Sequence, residues 1–414
     1  MTDDSAKQPL HGALAGVKVV DLSRVLGGPY CGQILADHGA QVIKVEPPAG
    51  DETRTWGPPF DTDGTAGYYK GVNRNKRDIV IDMTRPEGRE IALRLLADAD
   101  VLIENFKIGT LERWGLGYEE VLSRRFPRLV HCRVTGFGAK GPLGGAPGYD
   151  AVVQALGGLM SINGSPETGP TRIGAPVVDM ATGLHGVIGV LLALIERQRS
   201  GRGQFVEVAL YDTGVSLLHP HSANWLLSGK PPKLAGNAHP NITPYDKFPT
   251  RTCEIFLGIG NNGQWQKFCA ALGQPALAQD PRFATNAERS AHRGILRAKL
   301  EELLKDVDGD AFCQQLLNAG VPAGAVRTVP EVLTDPHTME RAMVVQTEDG
   351  RRGIGIPVKL ARTPGRAISA PPAWGQHTRE ILAEHGYGEA AIAAMIETGL
   401  VAIPATPKTA PVPE

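Results

Sequence analysis

Cysteine is scarce in this chain: Cys31, Cys132, Cys253, Cys269 and Cys313 lie scattered over 414 residues, without CxxC spacing and without histidine partners. That pattern argues against a disulfide framework and against zinc, and fits buried thiols in a reducing cytoplasm. An excess of one charge is missing too. Lys and Arg number 43 against 44 Asp and Glu, for a net charge of -1, and no basic cluster carries interleaved aromatics, so nucleic acid is not an expected partner. Long hydrophobic runs are absent. The longest, Gly186 to Ile195, falls far short of the roughly 20 residues a membrane span requires; it reads as a buried helix, and no membrane partner is expected. The start, MTDDSAKQPL, lacks the basic beginning and apolar core of a secretory signal and is too acidic for a typical transit peptide. The expected location is cytoplasmic.

Several catalytic signatures are also missing. Residues 24 to 33 read RVLGGPYCGQ, which is not the GxGxxG that brings a pyrophosphate against a helix N-terminus, so Glu46 at the end of the next strand is not enough for a dinucleotide site. No GxSxG nucleophile elbow is present. The eleven histidines include no HxxxH pair with a nearby acid, and HPHS at 219 to 222 reads as a loop pair, so no metal is expected.

What the chain does contain is an ordinary globular composition, 42% apolar and 21% charged, at a length that suggests two domains. VKVVDL (17–22), a Gly/Pro turn, YCGQILADHGA closed by Gly39, and QVIKVE (41–46) form a strand, helix and strand. RDIVIDM (77–83), a helix from Pro86, DVLIEN (100–105) and RLVHCRVTGFG (128–138) continue the alternation. The expected fold is α/β, a Rossmann-like large domain with a parallel sheet and a smaller α+β domain. The large domain is placed at 12–200, a Pro/Gly/Asn-rich linker or crossing segment at 201–250, the small domain at 251–330, a return to the large domain at 331–400, where RRGIGIPVKLA has strand character, and a disordered tail at 401–414.

One carboxylate stands out. In GAPVVDMATGLHG (174–186) an apolar run ends at Asp179, and a helix dotted with Gly183, Gly186 and Gly189 follows. An Asp before a helix is commonly its N-cap. The glycines, at about 1 kcal/mol each relative to alanine, imply that something comes close, either a packed helix or a bulky ligand.

Six motifs in order carry a resemblance: DLSRVLGGPYCGQILADHGAQVIKVEPPAGDETR, NRNKRDIVIDM, ADVLIENFKIGTLERWGLGYE, RVTGFGAKGP with PGYDAVVQALGGLM, PVVDMATGLHG, and LIERQRSGRGQFVEVAL. Across residues 12 to 390 the chain resembles the class III CoA-transferases, the CaiB/BaiF type that includes formyl-CoA and carnitine CoA-transferases. TRTWGPPF, VNRNK, AHPNITPY and GIGNNGQWQKF are similar to the succinate–hydroxymethylglutarate CoA-transferases, which use dicarboxylic acids and succinyl-CoA.

The resemblance implies Asp179 as catalytic nucleophile. It implies CoA contacts from Val25, Leu26 and Gly27, from Pro47 where other members often carry an adenine-stacking Arg, from Ile81, Asp82, Met83 and Thr84, from Asn105, Phe106 and Lys107, from Arg113, and from Ala146, Pro147, Gly148 and Tyr149. Lys107 and Arg113 suit phosphate by charge. Arg54 or Arg74 could hold a distal carboxylate as a bidentate pair, or be structural. It further implies CoA or acyl-CoA and carboxylic acids as substrates, no metal, and an interlocked homodimer with the crossing carried by loops such as 200–250. An aspartate with an ordinary pKa of about 4 is ionised at neutral pH and needs no activating base. The glycine-rich GIGNNGQ (258–264) is either an oxyanion donor or an ordinary turn. A sister branch, the α-methylacyl-CoA racemases, pairs the aspartate with a histidine in a G-H-D element; here the element reads Gly148, Tyr149, Asp150, and tyrosine is a poor base at neutral pH. Racemase activity is therefore the alternative, and an inactive acyl-CoA-binding homologue a weaker one.

Overall fold

The computed structural model describes residues 12–404. Two units are present. The larger comprises the described residues up to Gly157, Gly174–Leu217, and those from Pro336 onward; the smaller comprises Gly158–Ile173 and Leu218–Asp335.

In the larger unit β1 (Lys18–Asp21), α1 (Gly27–Asp37), β2 (Gln41–Glu46), β3 (Lys76–Ile81), α2 (Pro86–Ala97), β4 (Val101–Glu104) and β5 (Val130–Thr135) follow one another. Then come α3 (Asp150–Leu156), α4 (Val177–Ser200) and β6 (Phe205–Ala209). The strands order as β3-β2-β1-β4-β5-β6, all parallel, with Val401–Ala402 added antiparallel beside β3. Near-continuous apolar strands buried on both faces are what such a sheet requires: Val19, Val20, Ile79, Val80, Val101, Leu102 and Ile103 are all inaccessible or nearly so. Chain order reverses between β1 and β4. That is the topological switch point, where a crevice opens at the carboxyl ends of the strands.

α4 lies against α1 and the β5–β6 side of the sheet, and its glycines explain how. A Cβ on Gly183 would stand 2.7 Å from the Gly27 carbonyl oxygen, one on Gly186 3.2 Å from Cys31 Sγ, and one on Gly189 2.6 Å from Val206 Cγ1. Of the two explanations the spacing left open, helix packing is the one observed. α4 is long and apolar enough to span a membrane by length and composition, yet half of its apolar window is packed inside the unit.

The smaller unit holds a three-stranded antiparallel sheet in which β8 (Glu254–Gly258) lies between β7 (Tyr245–Pro249) and β9 (Ala323–Ala325). α5 (Asn262–Ala271), α6 (Arg293–Leu304) and α7 (Gly309–Asn318) contribute to its separate core around Trp265, Phe268, Leu296, Leu300 and Leu316.

Several expectations are corrected. Residues 201–250 are not one linker: β6 completes the large sheet, and the segment from Leu218 belongs to the smaller unit, where a helix spans His221–Ser228 and β7 follows. RRGIGIPVKLA contributes only Arg352–Ile354, paired with Val344–Gln346 in a two-stranded ribbon outside the main sheet. Val401–Ala402, expected in a disordered tail, is a sheet strand, because β3 otherwise presents an open edge; the rest of that expectation, from residue 405, lies outside the described residues.

Candidate active site

A crevice of about 300 Å³ opens at the switch point. It is lined by the turn after β1 (Arg24 to Gly27), the turn after β4 (Asn105 to Ile108), the end of β5 with Gly136, and the segment before α3. Asp179 forms part of its wall.

Two loops are locked together at the switch. The Arg24 N–H donates to Asn105 Oδ1 at 2.9 Å, and Asn105 Nδ2 donates to the Arg24 carbonyl at 2.7 Å. Behind them lie buried lysines. Lys44 Nζ donates to the Ser23 carbonyl and to Asp51, at 2.9 and 3.0 Å, while Lys76 Nζ donates to Asp21 at 2.9 Å. Val25 has φ of +72°, a sparsely populated conformation for a β-branched residue that persists only when the surroundings hold it. The turn is therefore rigid where it meets the crevice.

Asp179 is not the cap of its helix. It is the third residue of α4, and the cap is supplied from α3: Asp150 accepts the N–H groups of Val178 and Asp179 on one oxygen, at 2.8 and 3.2 Å. Its other oxygen accepts from Gln154 Nε2 at 2.6 Å. With the capping role taken, the Asp179 carboxylate is left to the crevice. A Cβ added to Gly27 would stand 3.3 Å from the Asp179 carbonyl oxygen and 3.8 Å from its Oδ1, so the β1 turn comes close to this residue. Asp179 is only 8% exposed. Burial first, and the nearby Asp150 charge second, push its pKa up to about 7. The expected ordinary aspartate with a pKa of about 4 is thus corrected.

Other implied contacts divide into three groups. Val25, Leu26, Gly27, Asn105, Phe106, Lys107, Ala146, Pro147, Gly148 and Tyr149 come together around the crevice with Asp179. Pro47 follows β2, and Ile81 to Thr84 follow or end β3, so both sit farther along the same sheet edge, outside the lining. Ile81 and Met83 belong to the hydrophobic core, and Asp82 accepts from Thr84 N–H and Oγ1. Arg113 is exposed, bonded to Thr110 Oγ1 at 3.0 Å, and also outside the lining.

Arg54 and Arg74 are each held by a carboxylate of the protein. The Arg54 guanidinium is held by Glu46 at 2.6 Å, by Tyr69 Oη at 2.7 Å and by the Pro372 carbonyl. The same contacts consume the Glu46 carboxylate that a ribose would have needed. Arg74 makes a bidentate pair with Asp37 at 2.8 and 2.6 Å. Both guanidiniums have a buried carboxylate as partner, and Arg54 keeps one buried nitrogen, Nη1, without an acceptor. GIGNNGQ proves to be a helix start: Asn261 Oδ1 accepts the Gln264 N–H, and Gln264 Oε1 accepts the Gly260 N–H, capping α5.

Sequence reasoning missed three residues. Asp150 was quoted only as part of a motif. Tyr68 has its hydroxyl pKa pushed up to about 12 by burial and then by the charges of Asp179, Asp150 and Asp51, which places it in the field of the site. Arg24 lines the crevice without an ion pair among the described residues. Among the described residues no group of three or more His, Cys, Asp or Glu is placed to hold a metal ion.

A doubly wound sheet with a ligand crevice at its switch point, and in that crevice a buried carboxylate freed from capping, defines an α/β protein built for carboxylate chemistry. The family model of CoA-transferase family III matches residues 14–378. The chain belongs to that family and is a CoA-transferase, so that CoA and its acyl esters are its substrate class. It is 43% identical over 395 residues to the succinate–glutarate CoA-transferase of Agrobacterium fabrum, covering 93% of this chain and 98% of that one. To the human succinyl-CoA:glutarate CoA-transferase it is 38% identical over 395 residues, covering 94% and 90%. A solved CaiB/BaiF family protein from Brucella suis superposes with a TM-score of 0.83 at 44% identity, covering 91% of this chain and 100% of that one.

Proposed function

We propose that this enzyme moves CoA between dicarboxylic acids, with succinyl-CoA or another dicarboxylyl-CoA as donor, and that Asp179 is its covalent nucleophile. The observation that carries the mechanism is the division of labour between the two aspartates: Asp150 caps α4, and Asp179 at the same helix turn is left to line the crevice. The names of the similar enzymes, which act on succinate, glutarate or their CoA esters, support the substrate class.

The ionised Asp179 carboxylate attacks the thioester carbonyl of the donor, forming a mixed anhydride and expelling CoA thiolate. The thiolate attacks the aspartyl carbonyl, forming an aspartyl-CoA thioester and releasing the donor acid. The acceptor carboxylate attacks that thioester, giving a second anhydride and thiolate. Attack of the thiolate on the acceptor acyl carbonyl completes the new acyl-CoA and regenerates Asp179. Anhydrides hydrolyse, so the buried setting of Asp179 also serves to exclude water. Lys107, exposed at the rim, suits the CoA phosphates, and Pro47 with the backbone of 81–84 continues the binding edge along β2 and β3. Racemisation needs a second acid or base across the α-carbon, and no histidine lines the crevice.

The interlocked dimer is part of this proposal. Met180, Leu184, Ile188 and Leu192 recur at every fourth position of α4 and, with Ile195, are 37% to 62% exposed, a continuous apolar stripe of the kind that marks an interface. Sedimentation at a dimer's mass tests it. A cytoplasmic location fits the five free cysteines, and neither nucleic acid nor membrane enters the reaction. For the mechanism, the protein is incubated with succinyl-CoA and a panel of acids, trapped with hydroxylamine, and mapped by mass spectrometry. Modification at Asp179 and loss of transfer in Asp179→Ala are expected; full activity in that variant would refute it.

A further inference from the structure

The three buried arginines of the larger unit are all ion-paired, and the half-buried Arg24 differs from them. Arg54 is paired with Glu46, Arg74 with Asp37, and Arg133 with Glu104. Arg24 has no such partner. It lines the crevice, its Nε is inaccessible to water and makes no hydrogen bond, and the two carboxylates that share the lining, Glu52 and Asp179, lie beyond ion-pair distance of it. A buried guanidinium nitrogen without an acceptor is unfavourable unless a ligand supplies one.

The residue is nevertheless held firmly. Its backbone N–H and carbonyl are both bonded to Asn105, the following Val25 is fixed at positive φ, and the guanidinium carbon stands 6.0 Å from the Phe106 ring centroid. Such contacts keep the side chain by the crevice while leaving its donors free, an arrangement suited to binding rather than to structure. Three residues further on, Gly27 meets Asp179. One turn therefore carries both an unmatched cation and the close approach to the nucleophile.

We propose that Arg24 receives the distal carboxylate of a dicarboxylic acyl group whose other end is at Asp179, and thereby selects diacids over monoacids. This rests on the reading of the crevice as the site of CoA transfer. A guanidinium fork matches a carboxylate through two parallel hydrogen bonds, and a monoacid of equal length would leave the fork unpaired. The CoA phosphates carry the same kind of oxygen, so the test separates the two.

Arg24→Gln and Arg24→Lys are compared with the unaltered full-length enzyme. Transfer from succinyl-CoA to glutarate and to valerate is measured, CoA binding is followed by titration, and thermal melting verifies folding. In Arg24→Gln the glutarate-to-valerate ratio of kcat/KM is expected to fall roughly 10- to 150-fold, the range for a charge-assisted hydrogen bond. KM for glutarate should rise more than kcat falls, CoA affinity should stay unchanged, and Arg24→Lys should recover part of the ratio. If CoA affinity falls while the ratio holds, the guanidinium serves phosphate and the inference is overturned. Should the Gln variant not fold, an unchanged ratio in Arg24→Lys overturns it equally. Absence of transfer by the unaltered enzyme for every acid pair would refute the CoA-transfer reading instead. Direct titration of glutarate and valerate then decides on Arg24: equal affinities for the two acids overturn its role, and glutarate binding weakened by Arg24→Gln upholds it.

Discussion

Replacing Asp179 with asparagine removes a charge while keeping the shape, and the structure fixes how stability must then depend on pH. The folded protein raises this carboxyl from an ordinary 3.8 to about 7. At about 1.4 kcal/mol for each tenfold change in proton affinity, that amounts to about 4 kcal/mol. Because the folded state holds the proton more tightly than the unfolded chain, the stabilisation is complete below about pH 4. It is lost as pH rises through the interval up to about 7. Asparagine does not titrate. The stability of Asp179→Asn relative to the unaltered protein should therefore grow by about 4 kcal/mol from pH 4 to pH 8, with well over half of the change falling between pH 5 and pH 8. Urea unfolding of both proteins at half-unit pH steps and matched ionic strength measures this, since titrating groups remote from Asp179 are shared and drop out of the difference. A flat difference, or one in which the unaltered protein gains on the variant as pH rises, would refute the idea that burial and Asp150 hold the proton on Asp179. The same titration should appear in catalysis as kcat/KM rising to a plateau above about pH 7, because in the proposed mechanism only the carboxylate attacks.

Asp150→Asn should shift that kinetic rise to lower pH, by removing the like charge beside Asp179; Asp150→Ala should also lose the α4 cap, at about 1 kcal/mol in denaturant unfolding. Gly183→Ala gains about 1 kcal/mol of helix propensity but sets a methyl 2.7 Å from the Gly27 carbonyl. Overpacking of about 1–3 kcal/mol should leave a net loss of stability and a lower kcat/KM through displacement of the Gly27 turn. Arg74→Ala strands a buried Asp37 carboxylate and should destabilise by about 3–5 kcal/mol, while the glutarate-to-valerate ratio of the folded enzyme stays as it was. A changed ratio would return Arg74 to the substrate site.

The parallel strands were legible because β-branched runs between Gly/Pro turns leave little choice, and Asp179 was legible through the family motifs around it. Its chemical state was not. The residue that caps α4 in its stead lies 29 positions earlier on another helix, a relation no local pattern carries. The partners of Arg54 and Arg74 were hidden for the same reason: Glu46 and Asp37 come beside them only in the fold. The α4 glycines announced a close approach without saying to what. Short pairings such as Val401–Ala402 are decided by the open edge of β3 rather than by their own two residues.

That last pairing bears on how the enzyme is made. β3 is laid down by residue 81, yet the strand that covers its free edge arrives some 320 residues later, after the whole of the smaller unit. During synthesis the growing sheet must wait with one edge bare while the smaller unit, complete at Asp335, has what it needs to fold. An exposed edge of that kind invites pairing with other chains. Production of this protein should accordingly be limited by aggregation of partly synthesised or slowly refolding chains, and be relieved by having fewer chains made at once rather than by strengthening the core.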